Sequence, residues 1–377
     1  MLLQTNPKAG YLAYKEEIDR AVSRVLKSGW YILGEEVAAF EREFAEYMGA
    51  NHAIGVATGT DALILALKAC GIGAGDGVIT VAHTAVATVT AIELAGATPI
   101  LADIDPVTFT LAPNSLEDTI RYCDRQYPEI TLKAIIPVHI YGHSVDITAI
   151  LNIAHRYNLE VIEDCAQSHG ATFKERKTGT WGKLGTFSFY PTKNLGALGD
   201  GGAIITNDSQ LAETLMALRQ YGWRQKFVSD LSGMNSRLDP IQAAILRVKL
   251  AYLDRDNQQR RNIADIYHRN LSQSGLELPQ ISPEIEPVYH QYVVRSHQRN
   301  QLQTRLKEQG IGTAIHYPIP VHQQPAYRHL PLAPDGLTVT EKMSQEILSL
   351  PMYGQLSDGQ AEEVSQAVLA SLQSLDR

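Results

Sequence analysis

Cysteine is scarce in this chain of 377 residues: Cys70, Cys123 and Cys165 stand far apart, an odd number without CxxC spacing. That argues against a disulfide scaffold and against a zinc site. No apolar run approaches the roughly 20 residues that span a bilayer. The opening, MLLQTNPKAGYLAYKEEIDR, lacks the charged-then-apolar layout of a signal peptide. Basic charge is short too: 33 Lys+Arg against 41 Asp+Glu leave a formal net charge of −8. Phosphate backbones and anionic lipid attract basic faces, so no nucleic acid and no membrane is expected as a partner. Tandem repeats and low-complexity tracts are missing, which sets aside solenoids and linkers. What is left is a soluble, cytoplasmic globular protein. At 44% hydrophobic and 20% charged residues, the chain can build one large core or two domains.

The first stretch reads as two amphipathic helices. Ile18, Val22, Val25 and Leu26 recur at helical spacing, as do Val37, Phe40, Phe44 and Tyr47, with Gly29 and Gly34 between them. From His52 the pattern changes to short apolar runs: HAIGVAT, GVITVA, TPILADI, KAIIPVHI, LEVIEDC, GTFSFY and GGAIIT. Helical segments such as DALILALKACG and DITAILNIAHRYN lie between them. Runs apolar on both faces and joined by helices predict an α/β fold with a mostly parallel central sheet, covered on both sides. A long helical stretch from about Pro240 to Ser274 leads out of it, and the remainder looks like a smaller C-terminal α+β domain. The expected division is 1–255 and 256–377. GIGAGDG at 71–77 follows a helix instead of a strand, so it reads as a helix stop and turn, not a dinucleotide loop.

Chemistry concentrates between Glu163 and Gly202. The strand VIED ends in Glu163-Asp164, followed by Gln167 and His169. A carboxylate leaving an apolar strand is costly unless a cation or hydrogen-bond donors meet it. An ordinary cap or ion pair explains such a residue about as often as a cofactor or metal contact does. Lys193 follows, in a loop with Ser188, Tyr190 and Thr192 and a glycine every few residues beyond. Most lysines lie on the surface; partial desolvation at the mouth of a sheet would lower this one's pKa and make it a nucleophile. The third element is Thr58-Gly59-Thr60 before the helix at Asp61, a phosphate site or simply a threonine cap.

Together, TGTDALILAL, PILADIDPVTFTL, VIEDCAQSHGA, GTFSFYPTKNLGALGDGGAI and GMNSRLDPIQAAIL resemble the nucleotide-sugar aminotransferases of the DegT/DnrJ/StrS type. These belong to fold-type I of the pyridoxal-phosphate (PLP) enzymes. The resemblance implies a three-layer PLP-transferase fold and a homodimer with shared active sites. It places Lys193 as the catalytic residue that carries PLP and moves the proton, and Asp164 as the partner of the pyridine nitrogen. Gln167 would meet the ring oxygen, while Gly59, Thr60 and Ser188 would meet the phosphate. Asn235 would be a phosphate ligand donated across the dimer, with Arg237 nearby. Candidates for the substrate pocket are Tyr221 and Arg237, then His316, Tyr317 and His322 in HYPIPVHQQPAY.

One departure stands out. Ala85 occupies the position where many members stack an aromatic on PLP; His83 is either a compensating residue or a polar strand end facing solvent. Relatives that act as sugar dehydratases carry histidine for the lysine, and this chain keeps Lys193. The implied reaction moves an amino group from glutamate or another amino acid to a nucleotide-linked keto-sugar, by the 316–327 loop a 3-keto-6-deoxyhexose. A 4-keto-sugar or cyclitol acceptor is the alternative, and then a PLP-binding regulator without turnover. The Lys193, Asp164 and Gln167 set speaks against the regulator.

Overall fold

The apolar runs form one sheet. In the computed structural model, which describes residues 1–375, they are β1 (His52–Val56), β2 (Asp76–Val81), β3 (Thr98–Ala102), β4 (Thr131–Ile135), β5 (Glu160–Asp164), β6 (Leu184–Ser188) and β7 (Gly202–Thr206). Their order across the sheet is β1-β7-β6-β5-β4-β2-β3. β7 pairs antiparallel with both neighbours, and every other pairing is parallel. All strands but β7 therefore end on the same edge.

Helices cover both faces, as continuous apolar strands require. Leu63 and Leu67 of the helix Gly59–Ala69 pack with Ile162, Leu184 and Ile204 on one side. On the other, Leu116 and Ile120 of Pro113–Gln126, with Ile150 and Ile153 of Ile147–Tyr157, pack on Ile79, Ile100 and Ile135. The helix Glu35–Met48 buries Val37, Phe40 and Phe44 at the predicted spacing. Phe40 and Phe44 meet Phe189 and Phe187 edge-to-face, which clamps the end of β6.

A second core gathers Tyr267, Tyr292, Leu306, Leu348 and Val364. There β8 (Tyr292–Arg295) pairs antiparallel with β9 (Ile347–Leu350), among the helices Leu253–Leu271, Arg299–Glu308 and Asp358–Gln373. The first residues of the chain join this core: Leu2 bridges Ile311, and the Met352 N–H donates to the Gln4 carbonyl at 3.0 Å.

One expected element is different. The helical stretch from Pro240 is two helices, Pro240–Leu250 and Leu253–Leu271, because Tyr252 leaves the helical region (φ −112°, ψ 0°). Tertiary contacts hold it there. Its ring stacks on Tyr14 at 4.4 Å, and its hydroxyl donates to Glu17 at 2.7 Å. Periodicity alone runs through such a break.

Candidate active site

Parallel strands deliver their following loops to one edge of the sheet, where ligands of open α/β sheets bind. Here that edge holds a cleft of about 880 Å³. Gly59 and Thr60 reach it after β1, Thr84 to Thr88 after β2, Asp164 and Gln167 from β5, and Ser188 and Lys193 from β6. Asp200 and Gly201 enter from the start of the reversed β7. Residues far apart in sequence thus meet because their strands end together.

Asp164 is buried and held on both oxygens. The Thr88 hydroxyl donates to Oδ2 at 2.8 Å, and the Ala166 N–H to Oδ1 at 3.1 Å. Lys193 sits on a turn closed by its own N–H to the Tyr190 carbonyl at 2.8 Å. Burial lowers its amine to a pKa of about 8, while the charge of Asp164 pulls the other way. At pH 7 the neutral fraction then rises from about 3 in 10⁴ to about 1 in 10.

Gln167 is gripped at both ends: its Oε1 accepts from the Tyr141 N–H at 2.7 Å, and its Nε2 donates to the Tyr317 hydroxyl at 3.1 Å. Tyr317 therefore stands at the site although it comes from the C-terminal part of the chain. Burial, then the negative charge of Asp164, push its pKa up to about 12.

At the phosphate end, Thr58 caps the helix Gly59–Ala69, its Oγ1 accepting from the Asp61 N–H at 2.9 Å. Ser236 braces the same turn: it accepts from the Ala57 N–H at 3.0 Å and donates to Asp61 at 2.7 Å. A Cβ on Gly59 would fall 2.6 Å from Ser188 Cβ, and one on Gly202 would fall 2.3 Å from the Thr58 carbonyl. Backbone can line this cradle only because both positions are glycine. A helix N-terminus with hydroxyls, a carboxylate and a softened lysine are the groups that a phosphate, a pyridine nitrogen and an aldehyde call for. The residues fit PLP.

Other sequence candidates lie apart from the cleft lining. Asn235 is exposed, bridged to Gln220, and Arg237 is half-buried. Tyr221 is exposed, with its ring 5.2 Å from Trp223. His316 Nδ1 pairs with the Ser349 hydroxyl at 2.8 Å, and burial lowers its pKa to about 4. His322 is buried, with Nε2 on Glu341 at 2.9 Å. His83 does not face solvent: it is 1% exposed, bonded to the Tyr141 hydroxyl at 2.6 Å, and burial lowers its pKa to about 4. It stands behind the cleft, while Ala85 lines it.

Sequence reasoning missed Thr88, Tyr141 and Ser236. No motif marks them; the one sequence signal is the i, i+4 spacing of Thr84 and Thr88 where the chain after β2 enters the helix Ala87–Leu94. It also left Glu163 open. That carboxylate accepts from the N–H groups of Gly179, Trp181 and Gly182 at 2.7–2.8 Å and from His139 Nε2 at 3.0 Å. His139 and Cys165 lie close enough to form a metal-like group with it, but the carboxylate is fully engaged in bracing the end of β5.

Comparison with known proteins identifies the family. Residues 13–369 match the model of the DegT/DnrJ/EryC1/StrS aminotransferase family. This chain belongs to that family. The aminotransferase is 47% identical over 357 residues to the dTDP-3-amino-3,6-dideoxy-alpha-D-galactopyranose transaminase of Aneurinibacillus thermoaerophilus, covering 95% of this chain and 96% of the relative. It is 43% identical over 362 residues to a dTDP-3-amino-3,4,6-trideoxy-alpha-D-glucose transaminase of Streptomyces venezuelae, covering 96% and 93%. Its fold matches the crystal structure of S. venezuelae DesV with a TM-score of 0.94 at 42% identity, over 99% of this chain and 98% of that one. The aminotransferase is a PLP enzyme with the α/β fold of its family.

Proposed function

We propose that this aminotransferase moves the amino group of an amino acid, glutamate foremost, to a nucleotide-linked 3-keto-6-deoxyhexose. The carrying observation is one cleft in which Lys193, Asp164 and the Gly59 helix start meet. PLP, when bound, supplies an aldehyde that takes the amino group and a ring that draws electrons from the breaking C–H bond. The protein's part is positional. Gly59, Thr60 and Ser188 hold the phosphate at the helix start. Asp164, its two oxygens held by the Thr88 hydroxyl and the Ala166 N–H, would meet the ring nitrogen. Gln167 and Tyr317 stand along the edge beside it. Lys193, with a pKa of about 8, can give up and take back a proton near neutral pH, which suits it to moving a proton between the two carbons that flank the transferred nitrogen.

Two things support the 3-keto reading: both relatives above are named for 3-amino sugars, and the 316–327 loop brings Tyr317 to the cofactor residues. The homodimer with Asn235 donated across it belongs to the same proposal. Asn235 is exposed and off its own cleft, and the aromatics Trp30, Tyr31 and Phe227 are 65%, 52% and 76% exposed, the kind of apolar surface a partner covers. The division near residue 255 and a cytoplasmic location complete it. Three free thiols suit a reducing compartment.

A panel of nucleotide-linked 3-keto and 4-keto sugars with glutamate, products resolved by mass spectrometry and NMR, tests this. Amination at C3 is expected. Amination at C4 alone would overturn the regiochemistry, and turnover of a keto-cyclitol alone would replace the sugar.

A further inference from the structure

Lys193 lines a second cavity besides the cleft. This one lies between the N-terminal segment, the turn Pro191–Asn194, the two helices after Pro240, and residues 353–355. Two further cations stand in its wall, Lys249 and Arg260. Lys249 Nζ donates to the Gly196 carbonyl at 2.6 Å. Arg260 is 5% exposed, and one nitrogen, Nη1, spans the carbonyls of Tyr289, His290 and Met352 at 3.1–3.5 Å.

Among the described residues neither cation has a carboxylate within 4.0 Å. The acid on that wall, Asp256, is taken up by the Tyr14 hydroxyl at 2.6 Å and Gln355 Nε2 at 3.0 Å. Burial lowers Lys249 to a pKa of about 8 and Arg260 to about 10, with Asp256 only partly opposing. A half-buried lysine and a buried arginine that touch only carbonyls, with Asp256 opposing in part, keep an excess of positive charge, and an anion entering the cavity would relieve that cost.

We propose that this rear cavity receives a carboxylate of the amino-acid donor, with Lys249 and Arg260 as its counter-charges. The inference rests on the reading of the protein as an aminotransferase with an amino-acid donor. An α-amino acid carries its carboxylate on the carbon that bears the amine, and that amine must come to the place Lys193 holds. Lys193 is the residue the two cavities share. A donor carboxylate in the rear cavity leaves the front cleft to the sugar nucleotide, so the two substrates take turns at the same carbon without sharing an anion site.

The test uses the holoenzyme and separates the two half-reactions by absorbance of the bound cofactor. Lys249→Gln should raise the glutamate concentration for half-maximal conversion by about 10- to 100-fold, the range for a lost charge-assisted hydrogen bond. The sugar half-reaction, started from the aminated cofactor, should stay within about twofold. Lys249→Arg should restore most of the donor affinity, and maleate, an unreactive dicarboxylate, should compete with glutamate in the wild type and not in Lys249→Gln. Lys249 carries the test because Arg260 also ties three backbone carbonyls together and its loss could unfold the protein. An unchanged glutamate dependence in folded Lys249→Gln, or equal slowing of both half-reactions, would overturn the proposal. A wild type that reacts with glutamate but aminates no nucleotide-linked sugar would remove the acceptor assignment alone, since the first half-reaction needs no sugar.

Discussion

Burial and the nearby Asp164 together set the chemistry of Lys193. Desolvation strips the lysine of part of its proton affinity, and the nearby carboxylate returns some of it. The neutral amine is the nucleophile that captures PLP, so the capture rate of the apoenzyme should climb tenfold per pH unit and level off above about pH 8. Stopped-flow absorbance from pH 6 to 10 would show it; a rate still climbing at pH 10 would mean an ordinary, solvated lysine. Borohydride reduction and peptide mapping should place the pyridoxyl label on Lys193. For Asp164→Asn we expect kcat to fall by about 100-fold or more while PLP stays bound, because the electron sink weakens in the transition state. Thr88 acts one step behind. Thr88→Val removes the hydroxyl that donates to the buried Asp164 carboxylate; a loss in kcat of about tenfold is expected, with Thr88→Ser near wild type. Equal activity in the valine and serine variants would show that the hydroxyl contributes nothing.

At the scale of elements, the site depends on how closely one helix start approaches one strand end. The Gly59 backbone sits against Ser188 with no room for a methyl group, the contact being 2.6 Å to Cβ and 3.0 Å to Cα. Gly59→Ala must push the helix Gly59–Ala69 away from β6 or distort its first turn, and the phosphate donors move with it. PLP affinity should drop by about tenfold or more in a fluorescence titration, with little change in the far-UV spectrum. An unchanged affinity would place the phosphate elsewhere. The same elements show where sequence patterns are reliable. The strands were legible because apolar runs buried on both faces have few other readings, and the helix Glu35–Met48 because its apolar residues keep a 3.6-residue spacing. The break at Tyr252 was not, since a stacked ring from Tyr14 and a bond to Glu17 decide it.

For the whole molecule, the completeness of the site is in question. Gly59, Thr60, Ser188 and Lys193 lie in the cleft of one chain, whereas Asn235 and Tyr221 are exposed outside its lining. If Asn235 serves a partner's phosphate, mixing inactive Lys193→Ala protomers with inactive Asn235→Ala protomers should regenerate activity, because one of the two sites in each heterodimer is intact. Exchange of subunits followed by native mass spectrometry would confirm mixing. Heterodimers without activity would mean that each chain holds its own complete site.

What the sequence determined by itself was the chemistry and its order along the chain: an acid ending an apolar strand, a lysine in a glycine-bounded loop, hydroxyls at a helix start. Those signals are local, and a run of residues carries them without its neighbours. Tertiary structure alone decided which groups meet. It set Tyr317 against Gln167, turned Thr88 toward Asp164, and buried His83 against Tyr141 instead of leaving it in water. It also left His322 on Glu341 and brought Lys249 and Arg260 to the back of Lys193. These contacts join segments separated by tens to hundreds of residues. A side chain's partners, and through them its charge state, depend on where the strands end and which loops fold over them, and no spacing along the chain encodes that.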